Sequence, residues 1–521
     1  MLKKIKAVLQ NHRGIALPVV LILFIPISIL AYSALSLTSS QTNFNYRYQA
    51  GIDALHYAEA GIHHYLWALN KNKDFPDLDQ EVAFEQGKYR IKVLEQGNGY
   101  VKIASTGWTD REPEIKKTIT AVLGQRTFTR YSYFSVDDPS NIRWTSNDIV
   151  YGPYHTNGHL VIDGNPTFYG RVTYSGRIHF YNGVWRGGSE DPDFNGPYPV
   201  NGSSPRFMQG IRWAVPLEVP PSNSELKIRA QNGGYYYEGR TSIRLNPDGT
   251  VTVRYFKKID NYTYEDVTET LPLPPNGVIY VNSNPNIPGG NESHGKFDKR
   301  MGNAFVSGTL RGKLTIAAAN DIYITGYDPT DYNFNSARNK PTGAGSGGNG
   351  GVIYAATTFA PVYENGTLTG YKAEGDDMLG LVANNNIWIL CKGWFDNPNP
   401  RLTDLQANVT PKYINVYGAV FALDGSFGLE KYYPNPSDGR YWPTGSYNNK
   451  DYKYETIYQR GALIQKTRGI VGQDISSWFS SSWLGYRSKN YAYDDRMTYE
   501  APPHFIEPSN RGWEIISWEE N

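Results

Sequence analysis

The chain lacks several features that define common classes of protein. It has a single cysteine, Cys391, in 521 residues, which excludes an intrachain disulfide and a zinc site built from several cysteines. Its 51 basic and 50 acidic residues leave a net charge of +1, so an overall electrostatic attraction for nucleic acid is absent. The mean hydropathy of −0.52 excludes a membrane protein with many spans. Tyrosine is the residue in excess, with 41 copies.

The N-terminus carries the longest apolar stretch. Residues 1–14 contain three lysines and Arg13 and no acidic residue, and the 23 residues 15–37 carry no charge. As a helix this stretch is about 35 Å long, enough to cross a bilayer. The basic flank predicts a cytoplasmic N-terminus and an exported body. No second run of that length follows, so the sequence predicts that the protein crosses a membrane once or not at all.

Three interpretations of this segment stay open. A cleaved secretory signal has a shorter apolar region, although residues 31–33 (Ala-Tyr-Ser) offer a small-x-small exit. A plain signal anchor is the second interpretation. The third starts from residues 12–18, His-Arg-Gly-Ile-Ala-Leu-Pro, which resemble the cleavage site of type IV prepilins and pseudopilins. That resemblance implies that residues 1–14 are a leader, which prepilin peptidase removes by cutting between Gly14 and Ile15.

The apolar stretch continues into an amphipathic one. Residues 38–70 contain no proline, and Ala54, Ala58, Ile62 and Tyr65 recur at helical spacing. The sequence therefore predicts a transmembrane and amphipathic helix over residues 15–70.

A short motif within this helix resembles a pilin family. Residues 57–62, Tyr-Ala-Glu-Ala-Gly-Ile, are similar to the Ala-Glu-Ala-Gly motif of PilX-type minor pilins. The residues that carry the resemblance are Ala58, Glu59, Ala60 and Gly61. An ordinary amphipathic stalk is the alternative.

One position departs from the pattern of major pilins. Those proteins carry a glutamate at the fifth residue after the cut, where this chain has Val19. In a filament that carboxylate neutralises the amino terminus of a neighbouring subunit within an apolar core. Its absence favours a tip or low-abundance subunit over a bulk subunit.

Residues 71–125 are predicted to form a small α+β unit like a pilin head. Residues 89–93 and 100–103 alternate apolar and polar side chains, with a Gln-Gly-Asn-Gly turn between them. Residues 117–123 give a further strand.

A glycine repeat predicts the fold of the body. Gly158, Gly164, Gly170 and Gly176 lie six residues apart and close short alternating blocks. Such a hexad is typical of a β-helix, whereas an antiparallel sandwich or meander is the alternative. The chain is therefore expected to be mainly β, with a right-handed parallel β-helix over residues 126–475. Long stretches, the longest about residues 187–275, are expected as inserted loops.

Two further resemblances concern this body. Residues 151–158, Tyr-Gly-Pro-Tyr-His-Thr-Asn-Gly, resemble an uncharacterised β-helical domain found behind pilin-like N-termini. The architecture is similar, more weakly, to that of tāpirins, which are cellulose-binding β-helical adhesins linked to pilus loci.

The aromatic residues suggest a binding function. Clusters of tyrosine and tryptophan offer rigid stacking surfaces for a polysaccharide or a protein, although tyrosine also simply favours strands. Residues 476–521 are expected as an aromatic-rich C-terminal tail. The candidate ligand-stacking residues are Tyr235, Tyr236, Tyr237, Tyr441 and Trp442.

The sequence contains few motifs that indicate catalysis, phosphate binding or metal binding. Residues 343–348 match G-x-G-x-x-G, but a strand-like segment follows them where a phosphate-binding loop needs a helix. His155 and His159 share no helical face, and the acidic loop after Asp328 lacks the terminal glutamate of a calcium loop. We therefore expect no enzymatic activity, no catalytic residue, no metal site and no cofactor.

The sequence thus predicts a minor pilin or pseudopilin of a type IV pilus or a type II secretion-like filament, at its tip or in assembly initiation. The expected partners are prepilin peptidase, other pilins and the inner or cytoplasmic membrane, with no nucleic acid. The expected location is a single-pass membrane protein with an extracytoplasmic C-terminal body, then the pilus or cell surface. The alternative is a surface adhesin that binds polysaccharide or another extracellular polymer through tyrosine and tryptophan loops.

Overall fold

The computed structural model describes residues 16–71, 79–97, 99–146, 148–189, 194–200, 202–288, 295–326, 328–330, 349–390, 413–430, 455–474 and 483–520. The chain divides into two compact units. The small unit comprises residues 1–125 with 512–521, and the large unit comprises residues 126–511.

The small unit consists of one long helix and an antiparallel sheet. The helix, α1, spans Ala16–Asn70 and contains Pro26. The sheet has the order β1-β2-β3-β4-β37, so that the last strand of the chain pairs with the fourth. Its strands are β1 (Glu81–Phe84), β2 (Gly87–Gly97), β3 (Tyr100–Thr109), β4 (Lys117–Gln125) and β37 (Trp513–Glu520).

The large unit is built on a 24-stranded, mainly parallel sheet in the described residues. Its strands form three stacks. The strands of the first stack are β5 (Tyr133–Asp137), β8 (Tyr154–Thr156), β11 (Val172–Tyr174), β16 (Tyr235–Glu238), β20 (Val278–Asn282), β22 (Lys313–Ala318), β27 (Met378–Ala383), β30 (Ala419–Ala422) and β33 (Leu463–Thr467).

The second and third stacks supply the other sides of the coils. The second contains β17 (Thr241–Leu245), β21 (Ala304–Leu310), β23 (Ile322–Ile324), β28 (Ile387–Ile389) and β31 (Phe427–Leu429). The third contains β7 (Ile149–Tyr151), β10 (Thr167–Phe168), β15 (Arg206–Trp213), β24 (Asn349–Tyr354), β29 (Tyr413–Tyr417), β32 (Thr456–Arg460) and β36 (Ser488–Ala492).

Smaller elements decorate these stacks. A four-stranded sheet contains β6 (Trp144–Thr145), β9 (Leu160–Asp163), β12 (Ile178–Phe180) and β13 (Trp185–Arg186). Antiparallel additions are β14 (Phe194–Pro197), β18 (Thr250–Lys258), β19 (Tyr264–Pro272), β25 (Thr358–Glu364), β26 (Thr367–Glu374), β34 (Gly472–Asp474) and β35 (Trp483–Gly485). A short helix, α2, spans Ser224–Gln231.

The glycine hexads set the repeat of the coils. Ile149 pairs with Thr167, Tyr154 with Val172, and Leu160 with Ile178, so each residue faces its equivalent 18 positions on, which is three hexads. A Cβ added at Gly170 would lie 2.2 Å from the carbonyl oxygen of Gly152 on the preceding coil. The glycines therefore recur because stacked corners leave no room for a side chain.

The apolar side chains form an inner and an outer core in the large unit. Along the first stack they alternate, with Ile316 and Leu381 pointing inward and Ala317 and Phe421 pointing outward. The outward side chains are covered in part by residues 214–231, which connect β15 to β16 at the opposite end of the stack.

The architecture confirms the coarser part of the predicted fold. The chain is mainly β behind a long N-terminal helix, and the parallel sheet is compatible with a β-helix, although its coils do not form a closed solenoid. The right-handed sense of the coils stays a prediction. Residues 187–275, expected as a loop, instead contain strands of all three stacks, together with the antiparallel β18–β19 pair.

Candidate functional site: the helix and its sheet

The N-terminal half of α1 is an uncovered apolar surface. Every described side chain from Leu17 to Gln49 is exposed, and Val19 is 45% exposed. Among the described residues, this helix is long and apolar enough to cross a membrane. An exposed apolar helix of this length is consistent with a membrane anchor.

The C-terminal half of α1 packs on the small sheet. Ala54, Ala58, Ile62 and Tyr65 are buried, because their spacing of three and four residues places them on one face of the helix. They contact the buried side chains of β2, β3 and β4, among them Ile91 and Ile103.

The Ala58–Gly61 motif lies at the closest approach of helix and sheet. A Cβ added at Gly61 would lie 2.2 Å from the Ser105 hydroxyl oxygen and 2.9 Å from the Tyr89 ring. From the other side, a Cβ at Gly107 would lie 2.3 Å from the Ala54 carbonyl oxygen and 2.4 Å from the Ala58 nitrogen. Small residues are therefore required on both elements.

The other two motif residues are not held by the sheet in the same way. Ala60 is half-buried, and the Glu59 carboxylate lies 3.1 Å from Nδ1 of His56, one turn earlier on the same helix. The side chain of Glu59 is about one third exposed and that of His56 about two thirds. The glutamate thus remains on the accessible side of the helix.

The last strand of the chain completes this unit. β37 pairs with β4 in an antiparallel register, with Trp513 opposite Gln125. Asn70, the last residue of α1, accepts from the Trp513 backbone N–H at 2.7 Å and donates to its carbonyl at 3.0 Å. Residues 513–520 therefore belong to the small sheet. This position differs from the aromatic-rich C-terminal tail that was expected over residues 476–521.

The candidate stacking residues in the described part of the chain lie within strand β16. Tyr237 is 7% exposed in the inner core, and Tyr236 stacks on Tyr280 with ring centroids 6.3 Å apart. The Tyr235 hydroxyl donates to the Pro272 carbonyl at 3.1 Å. Burial raises the pKa of Tyr236 and of Tyr237, and it raises the pKa of Tyr280 to about 12. This arrangement provides no flat row of accessible ring faces.

The remaining predicted site residues lie outside the described residues. These are the processing residues Gly14 and Ile15 and the aromatic residues Tyr441 and Trp442.

An accessible aromatic pair lies elsewhere, on the small four-stranded sheet. Tyr181 is 58% exposed and Trp185 is 37% exposed. The Trp185 ring stacks on His179 at 4.0 Å, and the Arg143 guanidinium lies 3.3 Å above the Tyr181 ring. Sequence analysis missed this pair, although Tyr181 falls within the fourth hexad block.

The described residues contain no group of three metal-binding side chains. His155 is buried, with Nδ1 2.7 Å from the Thr173 hydroxyl and Nε2 2.9 Å from the Asn157 amide oxygen. Burial lowers its pKa to about 4, so this histidine is neutral near pH 7 and its role is structural.

Comparison with known proteins finds a family model and solved structures that resemble the chain. A family described as "Domain of unknown function (DUF4900)" matches residues 88–178, from β2 to the start of β12. The crystal structure of the competence-associated pilin ComZ from Thermus thermophilus is similar over 91% of this chain and 97% of that chain, with 11% sequence identity. Its TM-score of 0.25 is too low to support an argument about fold. No curated protein matches the sequence.

Proposed function

We propose that the chain is a minor pilin-like component of a type IV pilus or a type II secretion-like filament. The observation that carries this proposal is the division of α1, whose N-terminal half is apolar and exposed while its C-terminal half packs on an antiparallel sheet. Such a helix can lie in a membrane and later in a bundle of similar helices, while the sheet stays outside the bundle. Other pilins and the membrane are its partners in this role.

The proposal places the subunit at the filament tip or in assembly initiation. Val19 offers no carboxylate to a neighbour's amino terminus, and an unpaired charge in an apolar bundle is costly. The small unit also carries residues 126–511 between β4 and β37. Such a large addition is easier to accommodate once, at the end of a filament, than in every subunit.

Maturation by prepilin peptidase is part of the proposal. The enzyme removes residues 1–14 and leaves Ile15 as the new N-terminus, and the large unit is presented outside the cell. The PilX-type resemblance, carried by Ala58, Glu59, Ala60 and Gly61, supports this step.

N-terminal sequencing of the mature protein from its own cells tests the maturation. We expect Ile15 as the first residue, with loss of processing in Gly14→Leu and normal processing in Ala31→Leu. The second variant is the matched control, because it blocks a small-x-small exit and leaves the prepilin site intact. An N-terminus after Ser33, or an uncut Met1, would contradict the proposal and favour a secreted or anchored protein.

The adhesin remains the second candidate, supported by the accessible Tyr181 and Trp185. Deletion of the gene separates the two functions. An assembly subunit lowers the number of filaments per cell, whereas an adhesin leaves filament number unchanged and alters attachment to an extracellular polymer.

A further inference from the structure

The first stack contains a seam where distant parts of the chain meet. At this seam, β33 pairs in parallel with β5, so residues 463–467 lie beside residues 133–137. The interior here carries charged side chains, because Arg468, Lys489, Asp138 and Asp148 are all nearly buried. Charged side chains in an interior need partners or a ligand.

A cavity of about 580 Å³ lies at the seam, within the size range of small-molecule sites. Asn141, Thr145 and Ser146 line it and are themselves exposed, so the cavity reaches the surface. Two buried tyrosines, Tyr133 and Tyr491, contribute to its wall.

Arg468 is a lining residue whose charge lies near the buried carboxylates of Asp138 and Asp148. It is 5% exposed, its guanidinium lies 3.9 Å above the Trp144 ring, and its Nη2 donates to the Arg143 carbonyl at 3.3 Å. Its Nη1 is buried and has no hydrogen-bond acceptor. Asp138 accepts instead from the Tyr154 hydroxyl at 2.9 Å.

The other two cations of the wall are already paired. Lys489 Nζ lies 3.0 Å from Asp148 Oδ1, and Arg143 Nη1 lies 3.0 Å from Asp163 Oδ2. The Nε of Arg143 also lacks an acceptor. The cavity wall therefore holds two N–H donors, on Arg468 and Arg143, that have no acceptor.

We propose that this cavity binds the carboxylate of an acidic sugar, a hexuronic acid unit of a polysaccharide, with Arg468 as the anchor. The planar guanidinium fits a carboxylate. Sugar hydroxyls find partners in the exposed side chains of Asn141, Thr145 and Ser146.

The aromatic pair extends the site beyond the cavity. Arg143 lines the cavity and at the same time lies 3.3 Å above the exposed Tyr181 ring, with Trp185 exposed on the same four-stranded sheet. A chain that places one carboxylate in the cavity can rest its neighbouring sugar against this pair. The inference does not depend on the proposed pilin role, because it concerns residues 126–511 alone.

Calorimetry on the detergent-solubilised full chain tests the site, with glucuronate as the probe and with glucose and inorganic phosphate for comparison. We expect glucuronate to bind and glucose not to bind. We expect Arg468→Met to weaken glucuronate binding about tenfold or more, since a charged hydrogen bond is lost. Arg212→Met, at an exposed arginine of β15, is the matched control and should bind as the parent does.

A second variant keeps the test decisive if Arg468→Met does not fold. Asn141→Trp introduces a large side chain at the exposed rim, leaves the buried charges intact, and is expected to block glucuronate. The proposal is overturned if the parent protein does not bind glucuronate, if glucose binds equally well, or if phosphate binds more tightly. It is also overturned if folded Arg468→Met or folded Asn141→Trp binds glucuronate as the parent does. N-terminal processing has no bearing on any of these results.

Discussion

Substitution of Gly107 by alanine tests the packing of α1 on its sheet. The added Cβ would lie 2.3 Å and 2.4 Å from two backbone atoms of the helix, the Ala54 oxygen and the Ala58 nitrogen. Both distances are about 1 Å short of a normal contact, and a backbone cannot rotate away as a side chain can. Overpacking costs about 1–3 kcal/mol, and we expect the upper half of that range here.

Hydrogen exchange measured by mass spectrometry resolves this effect within the small unit. A cost of about 2–3 kcal/mol speeds exchange of the amides in residues 54–65 and 100–109 by roughly 30- to 150-fold. Gly51→Ala is the matched control, since its Cβ would meet only the Ile115 side chain at 4.0 Å. That variant should slow exchange, because alanine favours the helix by about 1 kcal/mol. Exchange in Gly107→Ala within threefold of the parent would refute the described contact.

Two further predictions concern buried polar groups of the large unit. Gln459 is fully buried with neither amide atom bonded, so Gln459→Met should stabilise the protein by about 1–2 kcal/mol in thermal melts. Gln465→Met is the contrasting variant and should destabilise, because the Gln465 amide bonds Tyr133, Phe427 and Gly469. Burial raises the pKa of Glu507 to about 8, against the opposing effects of Arg511 and Arg130. Because the folded state favours the protonated acid, its stabilising contribution is complete below about pH 4.5 and is lost as the pH rises towards 8. Between about pH 4.5 and about pH 8, the melting temperature of the parent should therefore fall relative to that of Glu507→Gln. A difference in melting temperature that stays constant with pH would contradict the assignment.

Regular local patterns made much of the fold predictable. The hexad glycines indicated stacked coils, and the pairing of β22 with β27, β27 with β30, and β30 with β33 follows the order of the apolar segments in the sequence. The helical spacing of Ala54, Ala58 and Ile62 indicated the buried face of α1. In these cases each residue's environment is set by neighbours at a fixed spacing along the chain or by equivalent positions on the next coil.

Contacts between distant segments were not predictable in this way. Pairing of β33 with β5 and of β37 with β4 joins residues several hundred positions apart, and no local pattern encodes such a partner. The burial of Tyr237 was not predictable for the same reason. A tyrosine triplet in a strand has the same sequence whether the strand is covered or exposed. Arg468 carries no motif at all. Its significance depends on which side chains surround it in the folded chain.

The register of β37 on β4 also has a consequence for the resistance of the protein to proteolysis. Because Gln125 lies opposite Trp513, the polypeptide leaves and re-enters the small sheet at neighbouring strand ends. The large unit is therefore doubly tethered. A protease that cuts one connection leaves the other intact, so shedding the unit requires two cuts. Tension on the unit is likewise divided between two strands that an antiparallel ladder holds together.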